Sequence, residues 1–158
     1  MCTGALASVA GKDKFPREAL EEFTKFGLEC LAQEDAKFQL RETAIQYFTE
    51  ISKVLKSEMA PIFNIILEQV LKTAASEKGI NYENATKKEG GFSLGSDSED
   101  EGPCNIDINT DFIDEKSSAI HCIGNFGLNC SGLMFPHMEN VCKHLEDVGF
   151  YFHENIRY

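Results

Sequence analysis

The stretch Ile51-Ser52-Lys53-Val54-Leu55-Lys56-Ser57-Glu58-Met59-Ala60-Pro61-Ile62-Phe63-Asn64-Ile65-Ile66-Leu67 decides the fold. An amphipathic helical pattern runs into Ala60-Pro61, and a second one starts immediately after it. Proline suits the first turn of a helix, where its missing N–H has no intrahelical partner to lose. Two further prolines sit in the same setting, at Phe15-Pro16 and Phe135-Pro136. Ten residues before each proline stand Leu6, Ile51 and Phe126; six before stand Ala10, Leu55 and Cys130; one before stand Phe15, Ala60 and Phe135. This is one apolar stripe written three times. Downstream, Phe63 aligns with Met138, Ile66 with Val141, Leu67 with Cys142 and Val70 with Leu145. The first copy (Ala19, Phe23, Phe26, Cys30) is displaced by about one residue.

Pro16 and Pro61 are 45 residues apart, within the 40–47-residue period of HEAT/armadillo repeats built from helix pairs. Pro61 and Pro136 are 75 apart, which predicts one repeat plus an insertion of about 30 residues. The spacing predicts helices over 2–11, 17–32, 36–56, 60–75, 112–130 and 134–147. The long third helix carries the stripe Leu40, Ala44, Phe48, Ile51, Leu55. Ile106-Asp107-Ile108-Asn109 is the one hint of a strand. The expected fold is all-α, a HEAT-repeat α-solenoid of about three helical hairpins with an acidic loop insertion. Residues 1–76 hold helix pairs at about 2–32 and 36–75. Residues 77–109 form an acidic, flexible insertion, and 110–158 hold a further repeat and the start of the next. Met1 enters in mid-stripe, and a new amphipathic pattern begins after Phe150-Tyr151-Phe152. Without polar capping repeats, this predicts a piece of a longer array with apolar, self-associating end faces.

Composition agrees. The 158 residues are 42% hydrophobic, enough for a packed core, with 26 acidic and 15 basic side chains and a formal charge of −11. From Glu89 to Glu115 there are nine carboxylates and no Lys or Arg; the rest of the chain is close to neutral. That balance argues against direct nucleic-acid or anionic-membrane binding, both of which need positive charge. The uncharged window Ser117–Met138 contains too many His, Asn, Gly and Pro residues for a membrane span. The start lacks a signal-peptide pattern, and five of the six cysteines lie in or beside apolar helical stretches. They read as reduced thiols packed as small hydrophobes in a reducing compartment.

The chemistry-bearing residues point away from catalysis. The C-terminal half holds His121, Cys122, Cys130, His137, Cys142, His144 and His153, but no Cys-x-x-Cys and no His-x-x-x-His. Cys122 and Cys130, eight residues apart, have core spacing. His121 and Cys122 are helix neighbours that point about 100° apart and cannot form a nucleophile–base pair. Gly90-Gly91-Phe92-Ser93-Leu94-Gly95 leads into acids rather than a lysine and a helix, so it does not cradle phosphate. A calcium loop starting at Asp97 places Gly102 at position 6 but Ile108 at position 12, where a Glu is needed. No enzyme activity, cofactor or metal is expected. The acidic run Ser96-Asp97-Ser98-Glu99-Asp100-Glu101 reads either as a solvated linker or as a lure for a basic partner. The candidate cargo-binding residues are Asp97, Glu99, Asp100 and Glu101. Ser96 and Ser98 each have a carboxylate three residues on, Glu99 and Glu101, the pattern acid-directed kinases require.

A HEAT-type array with an acidic inter-repeat insertion resembles the importin-β (karyopherin-β) nuclear transport receptors. Asp111-Phe112-Ile113-Asp114-Glu115-Lys116-Ser117-Ser118-Ala119 is similar to the helix opening that follows an acidic segment in the branch importing ribosomal proteins and histones. Phe152-His153-Glu154-Asn155-Ile156-Arg157 resembles an inter-repeat turn there, and Glu68-Gln69-Val70-Leu71-Lys72-Thr73-Ala74 the helix before the insertion. The resemblance implies binding of basic cargo and its release by GTP-loaded Ran. It also implies contact with phenylalanine-glycine nucleoporins through the full-length receptor, and residence in cytoplasm and nucleus. The other reading is a HEAT scaffold that holds a phosphatase or kinase complex, with the acidic loop a passive linker.

Overall fold

The computed structural model describes residues 2–11, 14–33, 35–77, 80–81 and 107–149. Seven α-helices run in order among them: α1 (Cys2–Ala10), α2 (Arg17–Ala32), α3 (Phe38–Leu55), α4 (Ala60–Ala75), α5 (Thr110–Asn129), α6 (Ser131–Met134) and α7 (Met138–Gly149). Single 3₁₀ turns, Lys56–Met59 and Phe135–His137, precede α4 and α7. A two-residue antiparallel ladder joins β1 (Ile80–Asn81) to β2 (Asp107–Ile108). The fold is all-α, a repeat-like stack in two layers. One layer packs α1 on α3 and α3 on α5; the other packs α2 on α4 and α4 on α7. Contacts of α2 with α3 and of α4 with α5 bind the layers together. No described helix is long and apolar enough to cross a membrane.

The centre is α3, whose Ile45, Phe48 and Ile51 are fully buried. Tyr47 packs edge-on against Phe48, with ring centroids 5.3 Å apart, and donates a 3.2 Å hydrogen bond to the Leu20 carbonyl. This satisfies a phenol that would be costly to bury alone. Phe63 of α4 meets Phe126 of α5 at 5.2 Å, closing the core between the layers. A smaller cluster of Phe112, Ile113 and Val148 lies beside Phe38.

The repeated stripe is only partly the buried face. Ile51, Phe126 and Cys130 are buried, but Leu6 is exposed and its neighbour Ala7 is buried instead. Phe135, aligned with Ala60 before the proline, is 80% exposed. The alignment of α7 with α4 also shifts. Ile66 and Val141 are both buried, whereas Met138 and Cys142 are exposed opposite the buried Phe63 and Leu67. The cause is local. The chain leaves α5 at Cys130 (φ −122°, ψ 35°), makes one turn of α6, and enters α7 through a 3₁₀ turn. Helix α4 also follows a 3₁₀ turn, so what sets the entry to α7 apart is the break at Cys130 and the extra turn of α6. In α2, Phe23 and Phe26 are exposed, and the buried residues are Gly27, Cys30 and Leu31. On α5, Gly127 is exposed and Ile120 half-buried; Ala119, Cys122 and Phe126 take the core positions.

Two features test this packing. A Cβ on Gly27 would lie 2.9 Å from Cζ of the fully buried Phe48, whereas one on Gly127 meets nothing within 4 Å. Gly127→Ala is expected to stabilise by up to about 1 kcal/mol through helix propensity. Gly27→Ala is expected to lose about 1 kcal/mol or more, because overpacking outweighs that gain. Urea unfolding of both variants measures the difference, and a stabilised Gly27→Ala would contradict the packing.

Burial pushes the Cys122 thiol up to about 12 from its ordinary 9.0. Between those values the unfolded chain ionises this thiol and the folded chain does not. Its contribution to stability is therefore intact below pH 9 and lost as pH rises toward 12. Cys122→Ala should flatten the alkaline fall in stability over that window, followed by circular dichroism.

Candidate functional site: the root of the acidic insertion

The cargo-binding candidates Asp97, Glu99, Asp100 and Glu101 lie outside the described residues, as do Ser96 and Ser98. The structure does describe the point from which they depart and to which they return. Helix α4 ends at Ala75, and the Ser76 N–H donates to the Thr73 carbonyl at 3.2 Å. Ile80 then pairs with Ile108 and Asn81 with Asp107. The sequence hint of a strand at 106–109 thus corresponds to a clasp that brings both ends of the insertion to one place. Directly after β2, Asn109 caps α5, its Oδ1 accepting from the Asp111 N–H at 2.9 Å. Asparagine is among the best residues there, because its side chain satisfies a donor that the helix leaves open. Asp111 lies in the first helical turn, where the helix dipole favours a carboxylate. Gln39 at the start of α3 donates to both of its oxygens at 3.2 Å.

The helices on both sides of the insertion are joined by a buried charged network centred on Arg41. Its Nε donates to Glu115 Oε1 at 2.7 Å, with side-chain exposures of only 13% and 4%. Its Nη1 donates to the carbonyls of Leu31 (2.8 Å) and Gln33 (3.2 Å), and its Nη2 to Thr73 Oγ1 (3.0 Å). One guanidinium therefore joins α2, α3, α4 and α5. Arginine can do this because its donors form a fixed planar fork, and a helix C-terminus supplies carbonyls that attract a cation. Lys116, also buried, donates to the Ser76 carbonyl at 2.9 Å and lies 5.8 Å from the Phe112 ring centroid. Desolvation holds its ammonium below the ordinary lysine range, and nearby Glu77 opposes that shift. A cavity of about 200 Å³ opens among Arg41, Gln69, Lys72, Thr73, Phe112 and Glu115.

The sequence reading counted Glu115 with the solvated acidic block; the structure buries it. It gave Arg41 and Lys116 no role. The available signal was a charged residue flanked by buried positions, Arg41 before Ala44-Ile45 and Glu115-Lys116 between Ile113 and Ala119, too faint to use without the fold.

Among the described residues, no group of three or more His, Cys, Asp or Glu side chains is placed to hold a metal ion. His121 is exposed while Cys122 is fully buried, so the adjacent pair does not share a site. Cys30, Cys122 and Cys130 are buried free thiols; Cys142, expected in the core, is exposed. No protein-family model matches the chain, and no curated protein sequence matches it either.

Replacing Arg41 with Met takes the cation from beside a buried carboxylate, a change that typically costs about 3–5 kcal/mol. Chemical denaturation of Arg41→Met should show a loss of that size. Arg41→Lys should recover little of it, because an ammonium cannot bridge the same four acceptors. A loss below about 1 kcal/mol, the value of an exposed pair, would contradict the buried network.

Proposed function

We propose that this chain is a segment of a protein-binding helical-repeat receptor whose acidic insertion recruits basic proteins. The observation that carries this reading is the run from Glu89 to Asp107, six carboxylates with no Lys or Arg, in the insertion of a chain whose residues outside 89–115 are near neutral. Clefts and arms of one charge raise encounter rates with oppositely charged partners by 10–1000-fold at low salt. The clasp at Ile80–Asn81 and Asp107–Ile108 and the buried Arg41 network support the reading. They give the insertion a fixed base between α4 and α5, so captured charge is delivered to a defined surface.

The finer form of the proposal is a nuclear transport receptor of the importin-β type. Its cargo is basic, such as ribosomal proteins or histones, and GTP-loaded Ran releases it. The repeat-like stack and the likeness of residues 111–119 to that family's helix opening support it. In this form the protein works in cytoplasm and nucleus, and the full-length receptor meets phenylalanine-glycine nucleoporins. It binds and releases without chemical turnover and takes no cofactor.

Stopped-flow association with a core histone tests both levels. Changing Asp97 and Asp100 to Asn and Glu99 and Glu101 to Gln should slow association at least about tenfold at low salt and flatten its salt dependence. An unchanged on-rate would return the insertion to a passive linker, the arrangement of a phosphatase or kinase scaffold. Binding by the full-length protein that is indifferent to GTP-loaded Ran would remove the transport form and leave the basic-protein receptor.

A further inference from the structure

The cavity of about 200 Å³ beside the Arg41 network is rich in donors, and its charged and backbone acceptors are already taken. Glu115, its one carboxylate, accepts from Arg41 Nε at 2.7 Å. The last carbonyls of α2, at Leu31 and Gln33, accept from Arg41 Nη1. At the end of α4, the Ser76 carbonyl accepts from Lys116 and the Thr73 carbonyl from the Ser76 N–H. The donors are left over. Thr73 is 5% exposed, and its Oγ1 accepts from Arg41 Nη2, but among the described residues its own O–H meets no acceptor. A buried donor left open in this way is rare in a folded protein and costly. The Gln69 amide and the Lys72 ammonium, three residues apart on α4, also have no hydrogen-bond or ion-pair partner among the described residues. The opposite wall is apolar. Ala36, Phe38 and Phe112 form it, the two rings meeting edge-on with centroids 5.8 Å apart. Phe38 is only half-buried, which leaves ring surface at the cavity.

We infer that this cavity binds a small aromatic carboxylate, with the carboxylate on Thr73, Gln69 and Lys72 and the ring against Phe38 and Phe112. Such a site stands apart from the basic-protein reading above, since its ligand carries the opposite charge. The sign of the ligand follows from the lining. Arg41 and Glu115 cancel, which leaves Lys72 as the net charge. Lys116, beside the Phe112 ring, has Glu77 near it. Glu68, one turn before Lys72, lines the side of α4 that faces α7 instead. One uncompensated cation matches one negative charge. The two oxygens of a carboxylate accept about four hydrogen bonds, enough for the hydroxyl, the amide and the ammonium together. An aromatic body suits the other wall, because rings pack well edge-on or offset against rings. The volume sets the size: it lies below the roughly 300 Å³ at which pockets for drug-sized ligands begin. A bound acid would touch α3, α4 and α5 at once, so it would stabilise the fold in proportion to its occupancy.

The test is fluorine NMR of para-fluorobenzoate with the whole chain. Saturable line broadening is expected, with a Kd on the order of 1 mM or tighter for a ligand of this size. The amide para-fluorobenzamide has the same shape without the charge and should bind at least about tenfold more weakly. Acetate leaves the aromatic wall uncovered and should displace the probe at least about tenfold less well than benzoate. Lys72→Gln should weaken para-fluorobenzoate at least about tenfold, as for one charge-assisted hydrogen bond. Lys25→Gln removes the same charge from an exposed lysine of α2 outside the cavity and should leave binding unchanged. Both lysines are exposed, so both variants should melt like wild type. Absence of saturable binding, or equal weakening by the two variants, overturns the site. Equal affinity for the amide or for acetate overturns its assignment to an aromatic carboxylate.

Discussion

The structure depends most on the guanidinium of Arg41. A charge this deeply placed is tolerated only when every direction around it offers an acceptor. Here those acceptors come from three neighbouring helices: the last carbonyls of α2, the Thr73 hydroxyl of α4 and the Glu115 carboxylate of α5. The apolar core alone would allow adjacent hairpins to slide or rotate, because hydrophobic contact has little directional preference. The guanidinium fork adds direction. It fixes the ends of α2 and α4 against the start of α5, which is where the chain leaves and re-enters the stack. Lys116 reinforces the same place by holding the Ser76 carbonyl.

This gives the acidic insertion a physical context that its composition alone does not supply. Like charges repel each other, and the run Asp97, Glu99, Asp100, Glu101 is not the composition of a packed core. The described residues close the stack where the chain departs and returns. The clasp pairs its two ends, Asn109 restarts the helix, and Arg41, Glu115 and Lys116 seal the layer below.

The sequence made the repeat legible because helix phase and proline position are local properties. Pro16, Pro61 and Pro136 mark the entries to α2, α4 and α7, and the burial of Ile51 and Phe126 follows from periodicity. Legibility failed where geometry between elements decided the outcome. Phe135 and Cys142 are exposed in a helix entry that differs from that of α4 by the break at Cys130 and the extra turn of α6, which no apolar count registers. Arg41 and Glu115 are 74 positions apart, and their meeting is set by how α3 stacks on α5. In sequence, Glu115 looked like the last acid of the insertion; in the fold it belongs to the core beneath it.

The most direct test of the whole account is amide hydrogen exchange of the chain with and without a bound basic protein such as a histone. The account predicts slower exchange within residues 96–101, with α1 and the outer part of α5 unchanged. Slowed exchange confined to the helices, with residues 96–101 unaffected, would contradict it.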